Sequence, residues 1–335
     1  MSVFYEAMPF LVIGALISGI LEEMVPQQVI SRFIPRRPIL AIMMGGLLGL
    51  IFPMCDCGIV PIMRRLLRKG VPLSCCTSYM LAGPIVNLVV IFSTIIAFTP
   101  HWRNGGYAII ILRIVLGYLV ACGTAVVVQR LHKKYGNELL TPLARPEPAK
   151  PETKSLAVLN ETPPNGNNKP ARKPVFQRLG NISETALHDF IDITVFLTLG
   201  AALSAFCRQF ISQDKIAEWS NNYPPLAILC MMGLAILICL CSEADAFVAA
   251  TFTTLHPSAK IAFLVLGPML DFKLFLMFTR VFRPRLIRTI VVCLIVQVFI
   301  LAMGTYYLWP QIKELEKPVV RFFQPEAASL GASGG

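Results

Sequence analysis

The stretch "FPMCDCGIVPIMRRLLRKGVP", residues 52–72, places two cysteines, an aspartate, two internal prolines and a basic cluster directly after an apolar run. That run, residues 38–51, has the composition of a membrane helix. A carboxylate in the bilayer interior costs several kcal/mol unless it is paired or hydrated, and it marks a substrate or ion pathway by default. The stretch therefore predicts a membrane helix that ends at a functional break.

The composition of the whole chain points to the same class of protein. Its 335 residues are 55% hydrophobic and 15% charged, with a mean hydropathy of +0.65, whereas soluble domains carry about 25% charged residues. Apolar runs of about 20 residues are candidate membrane spans. The candidate spans are 4–22, 38–55, 74–98, 107–128, 190–211, 224–241, 258–278 and 287–309. The first begins near Met1 without a basic leader or a cleavage pattern, so we interpret it as a retained span. We predict an all-α, polytopic membrane protein with about eight transmembrane helices.

The net charge of +11 is interpreted as attraction to membrane lipid, not to nucleic acid. The basic residues lie at the ends of the candidate spans and in a linker, where they meet anionic headgroups. They do not fix the orientation. The basic residues after the second and fourth candidate spans favour a cytoplasmic N-terminus. Arg280, Arg283, Arg285 and Arg288 would lie on the opposite face if every span crossed the membrane.

Residues 131–178 are the one clear interruption, because they are rich in Pro, Asn, Lys and Glu and have no hydrophobic periodicity. Such a segment buries too little apolar surface to order itself, which predicts a flexible polar linker. We expect residues 1–130 to form a first membrane repeat and residues 179–312 a second. Residues 313–335 are predicted to be a tail.

The two halves on either side of the linker share motifs at a constant spacing. "CDCGIVP" at 55–61 corresponds to "CLCSEAD" at 239–245, and "LAGPIVN" at 81–87 corresponds to "VLGPMLD" at 265–271. The offset is 184 residues in both cases. Two such matches predict two four-helix repeats around a pseudo-twofold axis, where repeated membrane domains bind their substrates. Parallel and inverted arrangements both fit the sequence.

The Gly-Pro pairs Gly83–Pro84 and Gly267–Pro268 lie inside apolar runs of both repeats. Proline removes a backbone donor and clashes with the preceding turn, so each pair is expected to kink or break its helix. A polar residue follows at the same place in each half, Asn87 or Asp271. Broken helices occur at membrane depth only where they line protein or water. A plain proline kink is the structural alternative.

Ionisable residues in or beside apolar segments are candidates for the pathway. The acidic ones are Asp56, Glu243, Asp245 and Asp271, and Lys273 could partner a carboxylate across the repeat axis. A second group at the starts of the first and fifth candidate spans could relay protons, since a carboxylate–imidazole pair titrates near neutral pH. That group comprises Glu6, His188, Asp189 and Asp192. Interfacial solvation explains the second group equally well.

The chain has ten cysteines, all in or against apolar segments, which is not the pattern of a secreted disulfide scaffold. Cys122, Cys207, Cys230 and Cys293 are interpreted as small packing residues. The Cys-x-Cys pairs Cys55/Cys57 and Cys239/Cys241 lie beside carboxylates and place two soft sulfurs within reach of one thiophilic atom. The usual C-x₂-C spacing and a nearby histidine are missing, so neither a resident metal nor another cofactor is assigned.

The sequence "CDCGIVPIMRRLLRKGVPLSCCTSYMLAGPIVN", together with "CSEADAFVAATF" and "LGPMLDFK", resembles a family of bacterial permeases that includes the ArsP organoarsenical exporters. The resemblance covers both halves but not the linker or the tail. It implies a multi-pass permease of the bacterial cytoplasmic (inner) membrane with about eight spans, and some members export trivalent arsenicals. The family's recurring elements correspond here to Cys55, Cys57, Gly58, Pro61, Gly83, Pro84, Asn87, Cys241, Ser242, Glu243, Asp245, Gly267, Pro268 and Asp271.

The sequence thus favours a secondary transporter over an enzyme. The chain has no G-x-x-x-x-G-K-[ST] phosphate loop, and the most concrete version is proton-driven export of a thiol-reactive metalloid or small organic species. The alternative is a membrane thiol-disulfide oxidoreductase that uses the Cys-x-Cys pairs. A scaffold for a partner protein is a third possibility that would leave the buried carboxylates without a role. The oligomeric state is open.

Overall fold

The computed structural model describes residues 37–51, 56–100, 105–141, 224–253 and 255–323, together with single helical positions between 187 and 202. In these ranges the chain is helical and forms no strand, apart from one isolated bridge between Leu140 and Phe282. The prediction of an all-α protein therefore holds for this part of the chain. Some predicted site residues lie outside the described residues: Glu6, Cys55, His188, Asp189, Asp192 and the side chains of Asp56, Cys57 and Pro61.

Five helices precede the linker and five follow it in the described segments. The first set is α1 (Pro38–Ile51), α2 (Asp56–Arg68), α3 (Leu73–Ala82), α4 (Leu88–Phe98) and α5 (Gly106–Tyr135), and a 3₁₀ turn at Gly136–Leu139 extends it. The second set is α6 (Pro224–Ile238), α7 (Ser242–Thr251), α8 (Pro257–Leu266), α9 (Phe272–Val281) and α10 (Pro284–Phe323). Helix α5 and its 3₁₀ turn continue past residue 131, and α10 continues past residue 313, so both helices extend beyond the predicted domain boundaries.

Two of these helices are long and apolar enough to cross a membrane, α5 and residues Pro284–Glu314 of α10. Several others are apolar but only 10–17 residues long. Candidate span 74–98 is divided into α3 and α4, and candidate span 258–278 into α8 and the start of α9. A ten-residue helix is about 15 Å long, roughly half the hydrocarbon thickness of a bilayer. The helices thus break inside the apolar region at the Gly-Pro pairs, as the sequence predicts.

The same local geometry recurs 184 residues along the chain. The bounds of α8 equal those of α3 shifted by that offset, and α9 begins at the shifted start of α4. After each Gly-Pro pair the backbone makes the same hydrogen bond, from Val86 N to Ala82 O at 2.7 Å and from Leu270 N to Leu266 O at 2.8 Å. Similar sequences therefore fold into the same broken helix in both halves.

Contacts in the first half define the directions of its helices. A Cβ atom on Gly45 would lie 2.5 Å from Cys75 O, and one on Gly49 would lie 2.5 Å from Gly83 Cα, so α1 and α3 run parallel at close range. Because α2 ends where α3 begins, the chain returns through α2 to the side on which α1 begins. Helices α1 and α2 thus form an antiparallel hairpin, and α1 occupies most of the candidate span 38–55.

The long helices α5 and α10 run antiparallel to each other. At one end, Arg283 N donates to Leu139 O at 3.0 Å and Thr141 N donates to Val281 O at 3.1 Å. Further along, Gln297 Nε2 donates to Thr124 Oγ1 at 3.4 Å. The end of α5 therefore lies beside the start of α10. Helix α10 leads to the opposite end of the molecule, where Tyr306 packs against His256 at the start of α8, with ring centroids 4.8 Å apart.

Helices that adjoin the breaks of one half also pack against helices of the other half. Helix α7 of the second half packs against α4 of the first half, and α9 of the second half packs against α2 of the first. Each of these pairs joins a helix that follows a Cys-x-Cys motif to a helix that follows a Gly-Pro pair. The breaks of both halves are thereby brought to the centre of the helical bundle.

Candidate functional site

The Cys239–Cys241 segment is a break between two helices, because α6 ends at Ile238 and α7 begins at Ser242. Cys239 has a φ of 50°, the left-handed region that residues other than glycine rarely adopt. The Cys239 thiol is buried and lies within reach of the backbone amides of Phe272 and Lys273 at the start of α9. The Cys-x-Cys motif of the second half therefore meets the break that follows Gly267–Pro268.

Asp245 lies in the first turn of α7 and faces the same break. Its side chain is 2% exposed, and a Cβ atom on Gly267 would lie 2.6 Å from Asp245 Oδ2. Only glycine leaves room for the carboxylate at this position. Within the described residues, Asp245 Oδ2 and Ser242 Oγ are both buried without a hydrogen-bond partner. This end of α7 thus presents buried oxygen atoms that the described residues leave unsatisfied.

Asn87 and Asp271 cap the helices that begin after the Gly-Pro breaks. Asn87 Oδ1 accepts a hydrogen bond from Val89 N at 3.0 Å, and Asp271 Oδ1 accepts one from Leu274 N at 2.6 Å. A side-chain oxygen at this position satisfies a backbone donor that the helix cannot use. Asp271 Oδ2 also lies 3.4 Å from Lys273 Nζ, and both side chains are buried. Lys273 thus pairs with the carboxylate of its own half.

Arg113 is a central residue of the site that we did not single out in the sequence. It lies in α5 and is 1% exposed. Its Nη1 donates to Thr94 Oγ1 at 2.6 Å and its Nη2 donates to Ser242 O at 2.7 Å. Arg113 therefore links α4 of the first half to the start of α7 in the second. The sequence feature that could have identified Arg113 is its position as the single arginine inside the apolar run 107–128.

Arg113, Asp245, Asp271 and Lys273 are here named the charged cluster. Asp245 lies within electrostatic reach of the other three members. All four side chains are buried, and the cluster contains two basic and two acidic groups. Burial of so many charges in an apolar bundle is costly unless they are mutually compensated. Such a cluster of buried charges favours a functional site over a role in packing alone.

Other predicted site residues surround this cluster or lie in the equivalent part of the first half. Cys241 and Glu243 are partly exposed at the start of α7, and Pro268 is buried after Gly267. In the first half, Gly58 and Pro84 are buried, and a Cβ atom on Gly83 would lie 2.6 Å from Ile59 Cδ1. The described part of the first half contributes Thr94 and Arg113 to the charged cluster and its contacts, so the buried charges there come mainly from the second half.

Among the described residues, no cysteine forms a disulfide, Cys239 and Cys241 included. In the part of the chain that the structure describes, no three His, Cys, Asp or Glu side chains are grouped closely enough to hold a metal ion. Cys239 is the described thiol at the break, beside the amides that begin α9. A thiophilic substrate would therefore meet one described sulfur there, together with the acidic and basic groups of the charged cluster.

Comparison with known proteins yields a family and two relatives. The model of the ArsP_1 family, described as "Predicted permease", matches residues 1–307. The chain is 34% identical over 300 residues to "UPF0718 protein YcgR" of Bacillus subtilis, covering 88% of this chain and 91% of that protein. It is 30% identical over 288 residues to the "Putative two-component membrane permease complex subunit" of Streptococcus mutans, covering 86% of this chain and 87% of that protein. No solved structure matches the chain.

These matches extend over both halves and the charged cluster, and they confirm the resemblance that the motifs indicate. The names of the family and of one relative describe membrane permeases, in agreement with the apolar, broken helices. The chain is a membrane protein and belongs to the ArsP_1 family of predicted permeases.

Proposed function

We propose that this protein is a secondary permease whose substrate pathway passes through the charged cluster. The observation that carries the proposal is the burial of Asp245, Asp271 and Lys273 at helix breaks within apolar segments, together with the buried Arg113 of α5. Transporters place their substrate sites at discontinuous helices, where helix ends and charged groups replace water. The sequence positions proposed to line the pathway are Cys55, Asp56, Cys57, Gly58, Pro61, Gly83, Pro84, Asn87, Cys239, Cys241, Ser242, Glu243, Asp245, Gly267, Pro268, Asp271 and Lys273. We add Arg113 to this set, because it is buried and bonds to the start of α7.

The proposed architecture is two repeats of inverted topology, formed by residues 1–130 and 179–312 and joined by the polar linker. Equivalent helices α5 and α10 run in opposite directions, which supports an inverted arrangement over a parallel one. Two sets of contacts join the halves, those of α7 with α4 and those of α9 with α2. They support a pseudo-twofold axis at the charged cluster. In such folds, one repeat rocks against the other and opens the central site alternately to either side.

The proposed cargo is a small thiol-reactive species, such as a trivalent arsenical, that is exported with protons as the driving ion. The feature that supports a soft substrate is the Cys239 thiol at the break beside the charged cluster. The first-half thiols of Cys55 and Cys57 are proposed to complete the set of sulfurs. Glu6, His188, Asp189 and Asp192 remain proposed members of a proton relay.

The proposed location is the bacterial cytoplasmic membrane, with multiple passes. The start of α10 lies beside the end of α5, so Arg283 and Arg285 share a face with Lys133 and Lys134. Basic residues near membrane spans favour the cytoplasmic side, so this face is proposed to be cytoplasmic. One relative is named a subunit of a two-component membrane permease complex, and we propose that a second membrane component assembles with this chain too.

Transport measurements test the proposal directly. Inverted membrane vesicles that contain the protein should accumulate methylarsenite when a proton gradient is applied, and vesicles without the protein should not. Replacing Cys239 and Cys241 together by serine should lower the uptake rate at least tenfold, because oxygen is a poor ligand for a soft atom. The matched control replaces the peripheral thiols Cys122 and Cys293. Equal uptake by both double variants would refute the thiophilic substrate.

The variant with serine at positions 239 and 241 also distinguishes a permease from a thiol oxidoreductase. An oxidoreductase requires reachable, reactive thiolates, whereas Cys239 is buried. No structural observation favours this alternative. Disulfide exchange with an added dithiol that is lost in the Cys239/Cys241 variant would nevertheless establish it.

A further inference from the structure

The two acidic members of the charged cluster have different surroundings. Asp271 uses one oxygen to cap α9 and the other to pair with Lys273. Asp245 makes no hydrogen bond to a described residue through Oδ2, although only 2% of its surface is exposed. Asp271 Oδ2 also accepts no hydrogen bond from a described residue, but the ammonium group of Lys273 lies 3.4 Å from it. A buried carboxylate oxygen that lacks such a partner is unfavourable in the ionised form, whereas the neutral acid costs much less. The two aspartates are therefore suited to different tasks.

The charged groups around Asp245 act in opposite directions. Arg113 from α5 and Lys273 from α9 bring positive charges near the carboxylate, whereas Asp271 from α9 brings a negative one. Among the described residues, α4 contributes the Thr94 hydroxyl through Arg113, and α8 contributes the backbone of Gly267. On α7 itself, Glu243 is partly exposed. Small movements of α7 against α4 or α9 would therefore change which form of Asp245 is favoured.

A proton suits this position better than a metal cation. The unsatisfied oxygens at the start of α7 are Asp245 Oδ2 and Ser242 Oγ, whereas hard metal ions take about six or more oxygen ligands. Arg113 and Lys273 would also repel a bound metal ion. A proton needs only one carboxylate oxygen, and the Ser242 hydroxyl is placed in the same turn of the helix.

We propose that Asp245 is the proton-carrying residue of this permease, an inference that rests on the proposed transport function. The carboxylate takes a proton from water on one side, remains neutral while the site is closed, and releases the proton to water on the other side. Arg113 and Lys273 then stabilise the ionised form. Asp271, by contrast, is a positioning residue that caps α9 and carries no proton in the cycle.

Infrared spectroscopy tests the proton carrier without requiring a known substrate. Acid-minus-alkaline difference spectra of the full-length protein in lipid should contain the carbonyl band of a buried protonated acid. Asp245→Asn should remove this band, whereas Asp271→Asn and the exposed control Glu138→Gln should retain it. A wild-type spectrum without the band, or a band that persists in Asp245→Asn, overturns the proposal. If Asp245→Asn does not fold, Asp245→Glu must shift the band and its pH midpoint, and an unchanged band overturns the proposal.

The choice between a proton and a metal ion is tested in the same samples. Replacing potassium chloride by sodium chloride should leave the carbonyl band unchanged. Loss of the band in sodium would show that a metal cation occupies the site and would overturn the proton assignment.

Transport of methylarsenite separates this proposal from the proposed function. In Asp245→Asn, exchange of internal for external arsenical should continue, while accumulation driven by a proton gradient should fall at least tenfold. Gradient-driven accumulation at the wild-type level in this variant would overturn the role of Asp245 and leave the permease intact. A wild-type protein that neither exchanges nor accumulates methylarsenite counts against the proposed substrate, and the infrared band then decides the proton carrier alone.

Discussion

At the scale of single residues, Arg113 makes the most informative contacts of the molecule. Its guanidinium donates to a hydroxyl of one half and to a backbone carbonyl of the other, at 2.6 and 2.7 Å. The Thr94 hydroxyl in turn donates to Val90 O at 2.6 Å, which orients its oxygen to accept from Arg113. Two fixed donors on one planar group are a property of arginine that lysine does not share. Arg113 thus fixes the start of α7, and with it Asp245, relative to α4.

Replacing Arg113 by lysine should keep the charge but lose one of the two hydrogen bonds. A hydrogen bond from a charged donor contributes about 1.5–3 kcal/mol, so the variant should unfold at a lower temperature in detergent. Arg113→Gln should lose more, because the charge near Asp245 disappears as well. The control is Arg130→Gln, which changes an exposed arginine on the same helix. Melting curves of Arg113→Lys and Arg113→Gln that match the Arg130→Gln curve would contradict this role.

The helix cap at Asp271 gives a second prediction for a single residue. Asparagine caps helices as well as aspartate does, and the equivalent position of the first half is Asn87. Asp271→Asn should therefore keep α9 in place, although it loses the ion pair with Lys273. Asp271→Ala should cost about 1 kcal/mol more because the cap is lost as well. Thermal melting of both variants checks the order, and an alanine variant as stable as the asparagine variant would refute the capping role.

At the scale of helices, the breaks decide what the apolar runs become. Proline at 84 and 268 cannot donate a backbone hydrogen bond, and the chain resumes a helix only after Asn87 or Asp271 supplies a cap. Each long apolar run is thereby converted into two short helices whose ends lie inside the bundle. Two of these ends, the starts of α7 and α9, meet near Cys239, and helix starts favour negative or electron-rich groups. Asp245 and Asp271 lie at these two starts.

Close packing of α1 on α3 makes a prediction for the helix pair. A methyl group on Gly49 would lie 2.5 Å from the backbone of Gly83, so Gly49→Ala must push the two helices apart. Overpacking of this kind costs about 1–3 kcal/mol. Gly233→Ala in α6 is the control, because no described atom outside the backbone of that helix lies within 4 Å of a Cβ at this position. The first variant should melt at a lower temperature than the parent and the second should not, and equal melting of both would exclude the close approach.

At the scale of the whole molecule, three basic clusters lie on one face: those at the ends of α2 and α5 and at the start of α10. The hairpin of α1 and α2 returns Arg68 to the side where α3 begins, which is also the side where α5 ends, since α3 and α5 run antiparallel with Ile85 beside Gly117. Arg283 joins this face through its bond to Leu139. The sequence places the basic cluster of α10 on the opposite face from those of α2 and α5 only if every apolar run crosses the membrane. The hairpin and the antiparallel α5 and α10 remove this conflict.

Side-specific labelling checks this arrangement. Cysteines introduced at Lys134 and Arg285 should both react with an impermeant maleimide from the cytoplasmic side, because the two positions lie on one face and are exposed. A cysteine at Tyr307, which is 71% exposed and lies about 33 Å further along α10 than Arg285, should react only from the other side. Labelling is measured as the increase over the parent protein, whose native cysteines lie in apolar segments. Reaction of Lys134→Cys and Arg285→Cys from opposite sides would refute the inverted arrangement.

The sequence by itself determined the class of protein and the helix breaks, and it marked most of the residues proposed for the site. Hydropathy alone separates membrane helices from soluble ones, and proline disrupts a helix wherever it occurs, so both properties can be inferred from local sequence. The repeated motifs likewise marked Asp245, Gly267 and Asp271 before their surroundings were known.

Only the tertiary structure decided how these pieces are related in space. The direction of α10 relative to α5, the return of the chain through α2, and the place of Arg113 between the halves depend on contacts between residues up to 173 positions apart. The sequence also offered Asp245 and Asp271 as equivalent carboxylates. Their difference arises from packing, because one faces the backbone of Gly267 and the other caps a helix and pairs with Lys273. Hydropathy and local motifs carry no information on such partners, since the free energy of a buried charge depends on the groups that the fold places around it.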